Sequence, residues 1–222
     1  MRRLLLLAGL AGCGGNDRPS VDAGIDAASI TLTCDTYCKQ IQANCQGANQ
    51  QYGSMDQCTQ ACASFPVGTS AVTDTTGNTL GCRIHYAAAA STTPAPDCPH
   101  AGPAGDVISS ASPGACSGGD VCTSFCTLEI MACGTVIAPL SGNPRDSTGN
   151  PLFQYHDPDN CVNLCHLDFD KTHNYSTTAM GDSLACRLSA AVTAAVSLDS
   201  EKLNCRNTAD NATGPCVGTA SP

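Results

Sequence analysis

The sixteen cysteines that follow residue 33 form two series with matching spacings. The gaps in the first series are 3, 6, 12, 3, 19, 15 and 17 residues, and those in the second are 3, 6, 27, 3, 20, 18 and 10. Such a repeat indicates an internal duplication, which we predict as one unit at residues 34–118 and another at 119–217. The first contains Cys34, Cys38, Cys45, Cys58, Cys62, Cys82, Cys98 and Cys116, and the second contains Cys122, Cys126, Cys133, Cys161, Cys165, Cys186, Cys205 and Cys216.

The spacing within each series predicts helices. At about 100° per residue, Cys34, Cys38 and Cys45 share one helical face, and the same offsets recur from Cys122. Thr33 and Asp120 are suitable N-caps for these two helices. Third helices are predicted at 79–90 and 183–197. The predicted fold is mainly α, with two tandem disulfide-stapled units of about three helices each, loop-rich, behind a disordered N-terminal tether.

The Cys-x3-Cys motifs restrict the disulfide pairing. Two antiparallel helices that each carry such a motif bring their cysteines together in crossed order. The cysteines that remain then pair between the first and third helices and within the tail of each unit, which is one choice among the 105 pairings that eight cysteines allow. The predicted pairs are Cys34–Cys62, Cys38–Cys58, Cys45–Cys82, Cys98–Cys116, Cys122–Cys165, Cys126–Cys161, Cys133–Cys186 and Cys205–Cys216.

The third helices also carry an apolar face opposite their cysteine. Leu80 and Ile84 lie on this face in the first unit, and Leu184 and Leu188 lie on it in the second. A helix that is tied by sulfur on one side and apolar on the other should be covered on both sides. Our hypothesis is that these apolar faces help to pack the two units together.

The paired Cys-x3-Cys hairpins resemble the twin Cys-x3-Cys hairpins of small intermembrane-space chaperones and oxidative-import substrates. The resemblance covers residues 34–62 and 122–165, and it implies the hairpin geometry. The chain departs from that family in its longer loops, its third helices and its N-terminal export signal. Chaperone function is therefore not carried over.

The N-terminus has the features of an export signal. Arg2 and Arg3 precede an apolar run, and the segment ends in Leu10-Ala-Gly-Cys13. This ending resembles the lipobox of bacterial lipoproteins, which implies cleavage before Cys13 and lipidation of its thiol. Residues 1–12 would then be the signal peptide, and residues 13–33 the lipidated cysteine and a flexible tether. Removing Cys13 from the seventeen cysteines leaves an even number, as a disulfide framework requires.

The net charge and the N-terminal export signal limit the partners that we expect. The chain has ten basic and nineteen acidic residues, and cleavage removes two of the basic ones, which leaves a net charge of about −11. An acidic surface repels phosphate backbones, so we expect no nucleic acid. The expected partners are the membrane, through the lipid on Cys13, and an envelope protein. The outer membrane is favoured over the inner one because glycine, and not aspartate, follows Cys13.

The densest group of possible metal ligands lies just after Cys165. It comprises His166, Asp168, Asp170 and His173, and it faintly resembles a calcium-binding loop but lacks the turn glycine and the closing glutamate. These residues are weak metal candidates beside the simpler interpretation as a solvated polar loop. Cys-x2-Cys motifs, which zinc ribbons, thioredoxin-type dithiols and haem attachment sites use, do not occur.

Three other residues are weaker candidates for chemistry. His85 lies on the third helix and His100 in a turn, and neither has an equivalent in the second unit. Glu129 replaces Ile41 on the cysteine face, where a half-buried carboxylate would have a raised pKa unless it reaches solvent. We predict no cofactor and no enzymatic activity. The expected function is a non-enzymatic interaction or binding module; the alternative is a metal- or haem-binding accessory to an envelope redox system.

Overall fold

The structure, a computed structural model, describes residues 30–110, 114–136, 154–196, 204–210, 212 and 214–220. Within these ranges the chain forms α-helices, short 3-10 turns and loops. The predicted mainly α, loop-rich class is therefore confirmed. The predicted signal peptide, Cys13 and most of the tether lie outside the described residues. The helices are α1 (Cys34–Asn44), α2 (Met55–Cys62), α3 (Leu80–Ala89), α4 (Pro94–Ala101), α5 (Val121–Cys133), α6 (Pro158–Asp168) and α7 (Leu184–Ala194).

Side-chain caps set where the main helices begin. Thr33 accepts a hydrogen bond from the backbone N–H three residues later, and Asp120 accepts one from the N–H two residues later. Thr79 and Ser183 cap α3 and α7 in the same manner as Thr33 caps α1. Each cap satisfies one of the N–H groups that a first helical turn leaves without a partner. Both third helices end before the C-terminal limits that their sequences predict.

The crossed disulfides are present in both eight-cysteine segments, which we call the first segment (residues 34–118) and the second segment (119–217). Their Cα–Cα distances lie between 5.6 and 5.9 Å, within the usual range for a disulfide. They hold α1 antiparallel to α2, and α5 antiparallel to α6. The pairs are Cys34–Cys62, Cys38–Cys58, Cys122–Cys165 and Cys126–Cys161.

The other four predicted pairs are wrong. Cys45 does not pair with Cys82, and Cys98 does not pair with Cys116; the corresponding predictions for the second segment fail in the same way. Both segments nevertheless follow one pairing order, and every disulfide joins cysteines of the same segment. The observed pairs are Cys45–Cys98, Cys82–Cys116, Cys133–Cys205 and Cys186–Cys216.

The direction of α3 explains this difference. The Asn44 side chain, at the end of α1, donates a hydrogen bond of 2.8 Å to the carbonyl of Ala87, near the end of α3. Cys45 therefore lies beside the C-terminal end of α3, whereas Cys82 is in its first turn, about 7 Å away along the helix axis. Helix α4, a short helix where the sequence predicted a turn, brings Cys98 to Cys45 instead.

The apolar faces of α3 and α7 are buried. Leu80, Ile84, Leu184 and Leu188 are each at most 3% exposed, and they belong to one apolar cluster that includes side chains of both segments. These faces are thus buried, as the hypothesis that they help to pack the two units together requires. In the part of the chain that the structure describes, no helix has both the length and the apolarity to cross a bilayer.

A buried arginine supports the core of each segment, and neither was predicted. The Arg83 guanidinium lies 3.7 Å from the ring centre of Phe65, and that of Arg187 lies 4.2 Å from the ring centre of Phe169. Arg83 donates to the carbonyls of residues 79, 102 and 103, and Arg187 to those of 183, 209 and 210. Each arginine thus joins the start of the third helix to the tail of its segment. The Cys-Arg dipeptide that recurs at the matching positions 82–83 and 186–187 is the sequence signal that could have identified these two arginines.

Candidate binding groove and predicted ligand residues

The predicted ligand cluster after Cys165 separates into two pairs. His166 Nε2 lies 3.2 Å from a carboxylate oxygen of Asp120, the cap of α5. His173 Nε2 lies 3.4 Å from Asp170, whose pKa is lowered mainly by hydrogen bonds from the residue two positions later. Asp168 is exposed at the end of α6. The four candidates therefore do not converge on one point.

The ammonium group of a lysine binds three backbone carbonyl oxygens of this loop. Lys171 Nζ donates hydrogen bonds to the carbonyls of Cys165, His166 and Phe169, with distances of 2.8 to 3.2 Å. A calcium loop uses such oxygens as cation ligands, and here an ammonium group satisfies them. The side chain of Lys171 caps the end of α6, where a positive charge is favourable.

Among the described residues, one group of three possible ligand atoms lies within 4.8 Å of one another: Asp120, Cys122 and His166. The Cys122 sulfur is bonded to Cys165. A metal site uses the thiolate, which this disulfide removes. The group is thus reduced to a histidine and a carboxylate that already bind each other.

The two histidines of the first segment lie on either side of one tyrosine. The ring centres of His85 and His100 are 5.0 and 4.9 Å from that of Tyr86. Nδ1 of His100 is 3.2 Å from Asp106, and Nδ1 of His85 is 3.2 Å from the carbonyl of Ala71. His85 Nδ1 thus has a hydrogen-bond partner, whereas His100 Nδ1 is close to Asp106 but makes no hydrogen bond among the described residues. His100 lies in α4 rather than in the predicted turn.

Glu129 is buried, contrary to the interpretation that it reaches solvent. Its side chain is 0% exposed, and Oε1 accepts a hydrogen bond of 3.2 Å from the hydroxyl of Thr208. Oε2 has no hydrogen-bond partner among the described residues. Burial disfavours the charged form and raises the pKa of this carboxyl to about 8. Glu129 is therefore a neutral acid at pH 7 and forms part of the core.

A groove between α5 and α6 forms a concavity on the surface of the second segment. Its volume is about 690 Å³, within the range of about 300–1,000 Å³ usual for binding pockets. Two disulfides, one helical turn apart, join its walls. Two partly buried apolar side chains lie between polar ones. The lining residues are Thr123, Cys126, Thr127, Ile130, Pro158, Asp159, Val162 and Asn163.

The matching face of α1 and α2 carries different chemistry. When the two segments are aligned on their cysteines, Thr123 and Thr127 correspond to Asp35 and Lys39. Asp35 and Lys39 form an exposed ion pair of 2.8 Å across one helical turn. In the second segment the Thr127 hydroxyl instead donates to the carbonyl of Thr123 at 2.7 Å. The charged pair of the first segment is thus replaced by two neutral threonines.

The apolar residues of the groove also replace polar ones. Ile130 corresponds to Gln42, whose amide donates to the Tyr52 carbonyl at 3.3 Å. In the second segment the matching carbonyl, that of Tyr155, accepts from the backbone N–H of Val136 at 3.2 Å. In the first segment two glutamine side chains, Gln42 and Gln50, donate to this carbonyl, and in the second a backbone N–H does so. Position 130 can be apolar without leaving that carbonyl unsatisfied.

A second concavity lies near the predicted ligand loop. Its volume is about 500 Å³, and it is formed by residues 108–110, 119–121, 166, 171 and 172. Most of its polar groups already have protein partners: Asp120 binds His166, and Lys171 binds three carbonyls. The groove between α5 and α6 differs in that its two apolar side chains, Ile130 and Val162, are partly exposed.

Comparison with known proteins gives one similarity. Residues 20–124 match the model of the BfoA family C-terminal domain, a stretch that includes all eight cysteines of the first segment. No curated protein and no solved structure matches the chain. The matched stretch covers slightly less than half of the chain and ends just inside α5. Up to that point the chain is similar to the BfoA C-terminal domain, and the groove lies almost wholly beyond it.

Proposed function

We propose that this chain is an exported, lipid-anchored interaction module without enzymatic activity. The observation that carries the proposal is the complete pairing of the cysteines after Cys13. All sixteen form disulfides, and Cys13 is the seventeenth cysteine. Disulfides of this density form and persist in oxidising compartments outside the cytosol. The lipobox-like Leu10-Ala-Gly-Cys13 gives the remaining cysteine a separate role, as the site of the lipid.

Two further features support a binding role. In the predicted ligand loop, His166 is bound to Asp120, His173 lies beside Asp170, and Lys171 is bound to three carbonyls. The groove between α5 and α6, by contrast, presents apolar and hydroxyl groups on a rigid disulfide-bonded hairpin. A preorganised surface of this kind loses little conformational entropy on binding. The similarity to the BfoA C-terminal domain is compatible with such a disulfide-rich module.

Expression of the full chain in a Gram-negative host tests the anchor. We expect metabolic labelling with a palmitate analogue, recovery in the membrane fraction, and loss of both in a Cys13→Ala variant. Intact mass before and after reduction should give eight disulfides in both forms. The proposal fails if the unaltered chain stays unlabelled and leaves the membrane fraction, or if it carries free thiols besides that of Cys13.

A further inference from the structure

We propose that the groove between α5 and α6 binds the apolar face of a basic amphipathic helix from a partner protein. This inference rests on the proposed function as an interaction module, and it names the binding site and the class of partner. An amphipathic helix places apolar side chains three and four residues apart along one face, and it binds to proteins through grooves with an apolar floor.

The shape of the groove suits such a helix. Ile130 and Val162 are partly buried, and they face the groove from opposite walls. Pro158 extends the apolar floor toward the start of α6. The pairs Cys122–Cys165 and Cys126–Cys161 fix the separation of the two walls, so that the groove does not have to form on binding.

The charges around the groove favour a basic partner. Asp159 is the only charged side chain among its lining residues. Asp157, the cap of α6, precedes Pro158 and Asp159 at one end of the groove, and its carboxylate contacts Nδ1 of His156 at 2.7 Å. The position that holds Lys39 in the first segment is the neutral Thr127. A helix with lysine or arginine beside its apolar stripe thus meets complementary charge at the end of the groove that holds Asp157 and Asp159.

The first segment provides the reason to choose this groove and also the matched control. Gln42 and Thr59 occupy the positions of Ile130 and Val162, on a helix pair with the same two crossed disulfides. The double substitution Ile130→Gln with Val162→Thr therefore gives the groove side chains that this fold already accommodates at the matching sites. A loss of binding in this variant would reflect the surface chemistry and not a change of fold.

The probe for the test is a labelled synthetic peptide of roughly fourteen residues, made of leucine and lysine with helical periodicity. Its affinity for the full oxidised chain is measured by fluorescence anisotropy. A peptide with glutamate in place of lysine is the charge control. A variant with Val67→Thr and Val72→Thr, two exposed apolar positions elsewhere, is the protein control. Circular dichroism and thiol counting establish that all variants fold and are oxidised.

We expect the lysine peptide to bind the unaltered chain and the Val67→Thr, Val72→Thr variant alike. Binding should weaken by about tenfold or more in the Ile130→Gln, Val162→Thr variant, and it should also weaken in about 0.5 M salt. Equal binding by the groove variant, equal binding of the glutamate peptide, or no binding of the lysine peptide would each overturn the inference. The anchor experiment is independent of these outcomes, so the groove inference can fail while the proposed function stands.

Discussion

Replacing the buried Glu129 by glutamine should stabilise the fold by an amount that grows with pH. Burial raises the pKa of this carboxyl from 4.5 to about 8 in the folded protein. In the unfolded chain it titrates near the lower value, so between these pH values folding requires the carboxyl to take up a proton. The free energy of unfolding therefore has its full value below about pH 4.5, where Glu129 is protonated in both states. It decreases as the pH rises from there to about 8.

The size of this change in stability follows from the difference between the two pKa values. Each pH unit above the unfolded value costs about 1.4 kcal/mol until the folded value is reached. The cost is therefore about 3 kcal/mol at pH 7 and about 5 kcal/mol at pH 9. The glutamine side chain does not ionise in this pH range, and its oxygen can still accept the hydrogen bond from Thr208. The difference in free energy of unfolding between the Glu129→Gln variant and the unaltered chain should therefore be larger at pH 7 and pH 9 than at pH 4 by these amounts.

The measurement is urea unfolding with intact disulfides at pH 4, 7 and 9. The chain should also carry Cys13→Ser, which removes the thiol that could reshuffle the disulfides at high pH. Asp168→Asn, at an exposed carboxylate, is the matched control and should change stability by less than about 0.5 kcal/mol at each pH. If the gain from Glu129→Gln is the same at pH 4 and pH 9, the carboxyl is already solvated or paired in the folded protein and the reasoning is wrong.

Two other predictions concern the covalent and polar framework. Replacing Cys45 and Cys98 together by alanine should leave no additional free thiol, whereas replacing Cys45 and Cys82 together should expose two, as counted by thiol titration in denaturant. If the first of these variants releases two thiols, the observed pairing is wrong. Arg187→Met should lower the free energy of unfolding by about 2–4 kcal/mol, because it leaves the carbonyls of Ala209 and Asp210 without their side-chain donor, while Arg206→Met at an exposed site should have little effect in the same assay.

Local periodicity was enough to predict the helices and the crossed disulfides. On a helix, the two cysteines of a Cys-x3-Cys motif lie on the same face, because residues four apart are neighbours there. Two such helices can be joined by crossed disulfides only if they are antiparallel. The caps at Thr33 and Asp120 act within one turn, so they were also readable from the sequence. These features depend on neighbours within a few residues or on a single geometric relation between two helices.

The remaining disulfides depend on how a third helix is placed, which no local pattern fixes. The sequence predicted that Cys45 would meet Cys82, but the end of α1 meets the end of α3, and α4 then supplies Cys98. The burial of Glu129 was missed for a similar reason. Its environment includes Thr208, which lies 79 residues further along the chain. Contacts at such separations are set by the packing of the whole fold.

The two segments show how a surface can change while the fold is kept. The pairing order of the eight cysteines fixes the backbone of each hairpin, so an exposed position can vary as long as no buried polar group loses its partner. Position 130 meets this condition, because the backbone of Val136 supplies the donor that Gln42 provides in the first segment. Isoleucine at this position therefore costs the fold no hydrogen bond and exposes apolar surface in the groove. Ile130 packs one part of its side chain against the core and leaves the rest at the groove, and that exposed part is better explained by binding than by folding.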